Sequence, residues 1–122
     1  MIHLMAKLAS NAYKDGKDAK PVAKELGFTG HKFWDIDGAQ CHAVWNKEMY
    51  VLCFRGELDK LWEQVVEHQK RHKKKTFCIT GHSLGAAMAT LATSRFEEFT
   101  EVTQLTTFGS PRVGTRKFVN NI

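Results

Sequence analysis

No two cysteines in this chain stand at the Cys-x-x-Cys spacing of a redox or metal pair. The three present, Cys41, Cys53 and Cys78, are scattered singly through apolar stretches. That excludes a disulfide framework and leaves buried free thiols as the expectation. Long apolar runs are also missing. Lys7 interrupts the apolar stretch at the N-terminus, and no small-residue cleavage site follows it. Neither a signal peptide nor a transmembrane span is therefore read, and the expectation leans to the cytoplasm, or to a secreted chain whose leader is not among these residues. Prolines number only two, internal repeats and low-complexity tracts are missing, and the last of the six histidines is His82. This last absence matters most for function.

What is present suits one domain of 122 residues, 43% hydrophobic and 25% charged. A chain of this size buries about two-thirds of its unfolded surface, enough for a core. The formal net charge is +5, and much of the excess sits in Lys70-Arg71-His72-Lys73-Lys74-Lys75. No aromatic residues interleave this run and no nucleic-acid motif accompanies it, so no nucleic-acid partner is expected. Its place at the end of an amphipathic segment reads as a solvated helix terminus, where cations favour the dipole. Weak contact with an anionic membrane surface is the functional alternative.

The pattern predicts an α/β chain. Ile2 to Tyr13 carries a helical apolar stripe, Asp15 to Asp18 reads as a loop, and Pro21 opens a second short helix ending near Gly27. His31 to Asp35 and Gln40 to Trp45 read as a hairpin turning at Asp37-Gly38, with Cys41, Ala43 and Trp45 on one face. Met49 to Phe54 is a continuous apolar run, the mark of a central strand buried on both faces. Leu58, Leu61, Trp62, Val65 and Val66 have the spacing of a one-sided helix. A strand at 76–80, a helix from Leu84 to about Phe96 and a strand at 104–108 follow. Residues 49–108 are thus β-α-β-α-β, which implies a parallel sheet with right-handed crossovers.

The chemistry concentrates at Thr80-Gly81-His82-Ser83-Leu84-Gly85-Ala86-Ala87. A strand, Gly-x-Ser-x-Gly and a helix in that order make a nucleophile elbow. The glycines clear the side chains that would clash in so tight a turn. Ser83 is the candidate nucleophile, and Leu84 supplies the backbone N–H that would stabilise an oxyanion. His82 reads as a packed or hydrogen-bonded structural residue, because a base adjacent in sequence is hard to aim at Ser83. The competing view is a Gly/Ser turn that merely joins a strand to a helix.

Several motifs in order carry a resemblance. They are Ser10-Asn11-Ala12-Tyr13, Phe54-Arg55-Gly56, the elbow, and Phe108-Gly109-Ser110-Pro111-Arg112-Val113-Gly114. Together they resemble the class 3 lipases, fungal-type triacylglycerol lipase-like serine hydrolases of the α/β-hydrolase fold. The resemblance covers nearly the whole chain. It implies hydrolysis of acylglycerols or related carboxylic esters through a serine acyl-enzyme, with no metal or organic cofactor.

Three departures from the family pattern shape the expectation. The family's catalytic Asp and His follow the Phe-Gly-Ser-Pro-Arg-Val-Gly segment, so neither is assignable in residues 1–122, and the C-terminal part of the fold is expected to be missing. The strand at 104–108 is then expected at an exposed sheet edge. The family usually has Ser or Thr after Phe-Arg-Gly, contributing to the oxyanion hole, where this chain has Glu57. A carboxylate there would repel an oxyanion. Finally, Gly56 leads almost directly into Leu58, where the family has a longer segment with a Val-His-x-Gly-Phe element. An internal deletion would produce this joint and would make Glu57 a helix N-terminal residue, favourable to the dipole. Two functions follow: an ester hydrolase, incomplete in these residues, or a catalytically inactive hydrolase-fold module that binds lipid or protein.

Overall fold

The computed structural model describes residues 2–11, 16–109 and 114–117. Ala12 and Tyr13 of the first motif, Ser110 to Val113 of the last, and residues 118–122 lie outside them. The described elements are α1 (Ile2–Asn11), α2 (Gly16–Glu25), β1 (Gly30–Ile36), β2 (Ala39–Trp45), β3 (Met49–Phe54), a 3-10 turn (Asp59–Leu61), α3 (Trp62–Lys70), β4 (Thr76–His82), α4 (Leu84–Phe96), β5 (Gln104–Phe108) and β6 (Gly114–Lys117).

The strands form one six-stranded sheet in sequence order. β1, β2 and β3 are antiparallel neighbours, β3, β4 and β5 are parallel, and β6 returns antiparallel to β5. The expected hairpin and the parallel β-α-β-α-β centre are both present. The hairpin turns through Asp37 and Gly38, with φ of 49° and 88°. Two successive positive φ values make a type I′ turn, whose twist matches the strands it joins.

Each face of the sheet is covered. On one face Leu58 and Leu61 of the 3-10 turn and its cap, with Val65 from α3 and Ala89, Ala92 and Phe96 from α4, pack on Trp34, Cys41, Ala43, Tyr50, Leu52 and Ile79. On the other, Met5, Leu8 and Ala23 from α1 and α2 pack on Val44, Val51, Cys53 and Cys78. Cys41, Ala43 and Trp45 share the α3/α4 face, as their alternation predicts. The three thiols are free and buried, and burial raises the pKa of each.

Four readings need correction. Residues 16–18 are helical, not a loop, and Pro21 lies inside α2. Ala19 and Ala23, one turn apart, are fully buried, and that burial carries the helix past the missing Pro21 N–H. α2 closes in a Schellman motif: Gly27 has φ 95°, and the Phe28 and Gly27 amides donate to the Ala23 and Lys24 carbonyls at 3.1 Å. The first turn expected of the helix at Leu58 is 3-10, with Leu58 at its N-cap. The basic run does not simply close α3, which ends at Lys70, so His72 to Lys75 form the turn into β4. Lastly, β5 is not a sheet edge, because β6 pairs along it from Gln104 to Thr107.

Candidate active site

β4 runs past the expected boundary at Thr80 and ends at His82, and α4 begins at Leu84. Ser83 alone joins them. Its backbone sits at φ 58°, ψ −119°, a region an L-residue occupies only under constraint. The constraint comes from both sides. The Ser83 amide donates to the Phe108 carbonyl at 2.8 Å, and the Ser83 carbonyl accepts from Ala86 at 2.9 Å. The side chain is exposed, and it makes no capping bond to α4.

The two glycines do what the motif requires. A Cβ on Gly81 would overlap the Gly85 carbonyl and stand 2.9 Å from the Ala86 nitrogen. A Cβ on Gly85 would overlap the Phe54 carbonyl and stand 3.3 Å from Arg55 Cα. α4 therefore starts in backbone contact with the end of β3. That brings Phe54-Arg55-Gly56 against the elbow, as the order of the motifs implies.

The Leu84 amide occupies the first helical position of α4, where a helix provides no carbonyl acceptor. The positive end of the helix dipole points at the same place. Leu84 itself is 57% exposed, and Leu91 continues the exposed apolar surface along α4. The site can thus stabilise negative charge beside an accessible hydroxyl.

The segment after β3 is committed elsewhere. The Arg55 and Gly56 amides both donate to the Gln40 carbonyl, at 3.1 and 3.2 Å. The Glu57 amide donates to the Gly38 carbonyl at 3.4 Å. The start of β2 thus takes up two of these donors and the hairpin turn the third, a role their residues did not announce. Asp37-Gly38 signalled the turn, but nothing local signalled its acceptors. Glu57 is exposed and precedes the N-cap Leu58, so it is not in the helix; Asp59 takes the acidic first-turn position.

His82 is exposed as a residue, and its ring borders Gly109, where a Cβ would lie 3.1 Å from Nε2. The other histidines with defined partners are held away from Ser83. His42 pairs across to Cys53, and Cys53 to Thr80. That places it roughly 14 Å from Ser83 by strand spacing and rise. It is 2% exposed, with Nδ1 2.9 Å from His31 Nε2. His68 and His72 pack on Tyr50 near the start of β3, at the other end of the sheet. Two clefts, of about 360 and 380 Å³, are lined by β1 with α3 and by α2 with β1, and neither is lined by elbow residues.

An exposed serine on a strand-to-helix turn, set in a mixed sheet with a parallel centre, is consistent with a lipase-type α/β fold. The profile of the family described as Lipase (class 3) matches residues 9–122, and the chain belongs to that family. It is similar to a secreted mono- and diacylglycerol lipase of Malassezia restricta, 39% identical over 66 residues. The same enzyme from a named strain of that species matches equally, at 39% over 66 residues. The aligned stretch covers 52% of this chain and 22% of the relative's length.

Proposed function

We propose that residues 1–122 form a single lipase-like unit in which Ser83 is the nucleophile of a carboxylic ester hydrolase. Family membership carries the class of reaction. The observation that carries the residue is the exposed Ser83 held at φ 58° at the head of α4. Strain of this kind aims a hydroxyl away from the sheet and toward a substrate. Ser83 Oγ attacks the ester carbonyl, the Leu84 N–H receives the developing oxyanion, and the alcohol leaves with the proton taken from Ser83. Water then releases the acid. The Malassezia relative is described as acting on mono- and diacylglycerols, which favours acylglycerols as the substrate class here. That relative is also described as secreted, so the cytoplasmic lean of the sequence finds no support in it. No helix among the described residues is long and apolar enough to cross a membrane.

The base and its orienting carboxylate are not assigned. His42 and His68 are buried away from Ser83. The second reading is a module that binds lipid or protein without turnover. One experiment separates the two. A fluorophosphonate probe and a short-chain nitrophenyl ester are offered with and without added imidazole, which stands in for the base. The hydrolase reading expects slow labelling confined to Ser83, and ester turnover above the rate of imidazole alone, which imidazole accelerates and Ser83→Ala abolishes. Labelling elsewhere, or turnover indifferent to Ser83→Ala, overturns it. No labelling under either condition leaves the binding module.

A further inference from the structure

The sheet places its two functional-looking ends at opposite poles. Ser83 follows the C-terminal end of β4. The turn from α3 into β4, residues 71–75, lies at the other end. β4 has seven residues, so the separation is roughly 20 Å. The β2–β3 turn is beside it, because the Thr76 amide donates to the Glu48 carbonyl at 2.8 Å. Lys47 therefore joins Lys70, Arg71, Lys73, Lys74 and Lys75 on one surface.

All but Lys75 of these cations are exposed, and Lys75 is half-buried. Glu48 is the one carboxylate in the two turns. Lys70 closes α3, where the exposed Glu67 lies one turn back, so six cations less two carboxylates leave about +4, against +5 for the whole chain. Beneath the surface lies a rigid floor: the Trp45, Tyr50 and His72 rings pack with centroids 5.0 Å apart from His72 to each of the other two. On the same pole the α4–β5 connection carries Glu97, Glu98 and Glu101, which bounds the basic zone to the side under β2, β3 and β4.

We propose that this basic pole is a docking surface for an anionic lipid leaflet. Two features favour a leaflet over a protein or nucleic-acid partner. Five of the six cations are lysines, compact point charges suited to a diffuse field of phosphates and carboxylates. Bidentate recognition of a defined partner draws on arginine, of which there is one. The charges also sit on two adjacent turns and the end of α3 rather than along a groove. Charge at this pole is screened within about 8 Å at physiological ionic strength, well short of Ser83. Docking therefore tethers the molecule with the elbow facing away from the leaflet, and leaves soluble-ester chemistry at Ser83 unchanged. It is independent of whether Ser83 turns over.

Vesicle co-sedimentation tests this. Phosphatidylserine–phosphatidylcholine vesicles are compared with pure phosphatidylcholine, at low and high salt. Binding should require the anionic lipid, fall with salt, persist in Ser83→Ala, and drop about a hundredfold in the triple variant Lys73→Gln/Lys74→Gln/Lys75→Gln. The triple Lys→Arg variant, which keeps the charge, should bind like the parent. Equal binding to pure phosphatidylcholine, undiminished binding by the Gln variant, or tighter binding to duplex DNA or polyglutamate than to the vesicles overturns it. Circular dichroism of both triple variants shows that a loss is not unfolding.

Discussion

Gly85 lies directly against the Phe54 carbonyl oxygen, so that a Cβ at position 85 would overlap it. This contact sets how close α4 comes to β3, and therefore where Ser83 stands. Gly85→Ala must push backbone against backbone, with no flexible side chain to yield. We expect it to destabilise by about 2–3 kcal/mol. Labelling at Ser83 should fall as well, because the start of α4 moves. Urea denaturation and probe labelling check both. Unchanged stability would mean that α4 shifts freely and that the elbow is not fixed by β3.

Gly30 makes a similar close approach to a softer neighbour. Paired with Trp45 across the hairpin, it sits under the indole, which a Cβ would overlap. Here the obstacle is a side chain that can rotate. Gly30→Ala should cost about 1 kcal/mol, less than Gly85→Ala, and should disturb the Trp45 packing on Tyr50 and His72. Tryptophan fluorescence and denaturation together report it. A larger loss than for Gly85→Ala would reverse the ranking of side-chain and backbone obstacles.

Ser83 is expected to hold strain. Glycine occupies positive φ freely, and the Ser83 hydroxyl makes no cap bond that would be lost. Ser83→Gly should therefore gain about 1 kcal/mol of stability while removing the reactive hydroxyl. Ser83→Ala removes the hydroxyl without relieving the backbone. Denaturation midpoints of the two variants measure the difference. Equal midpoints would mean that the turn carries no strain.

Much of this was legible in the residues, wherever one local rule decided the outcome. Met49 to Phe54 is apolar throughout because both faces of β3 are covered, and the strand has those bounds. Gly81 and Gly85 announce the elbow because nothing larger fits. Ser83 also stands where its motif puts it, exposed between β4 and α4. Other positions were set by distant contacts and left no local trace. Residues 16–18 look like a loop, yet burial of Ala19 and Ala23 makes them helical. β6 has too short and polar a sequence to read as a strand; its pairing along β5 defines it. The joint at Glu57 looked like an oxyanion position or a helix start. Its amide instead answers to the Gly38 carbonyl in a turn far back in the chain.

The stability of the molecule should fall in mild acid, and His68 is the main reason. It is 9% exposed, its Nδ1 lies 2.8 Å from the Tyr50 hydroxyl, and Trp34 meets it edge-on. Burial, with the charges of His72, Arg71 and Lys32 around it, pushes its pKa from 6.5 down to about 4. Burial first, then nearby cations, also lowers His31 and His72. The unfolded chain thus binds these protons more readily than the folded one. For His68 the stabilisation is full above pH 6.5, declines as the pH falls below it, and is gone once the pH passes below about 4. The loss attributable to His68 is on the order of 3 kcal/mol. Urea titrations between neutral and acid pH should show the decline, and His68→Gln, less stable at neutral pH, should flatten it. A parent whose stability is level across that range would mean that His68 takes up its proton without leaving its place against Tyr50.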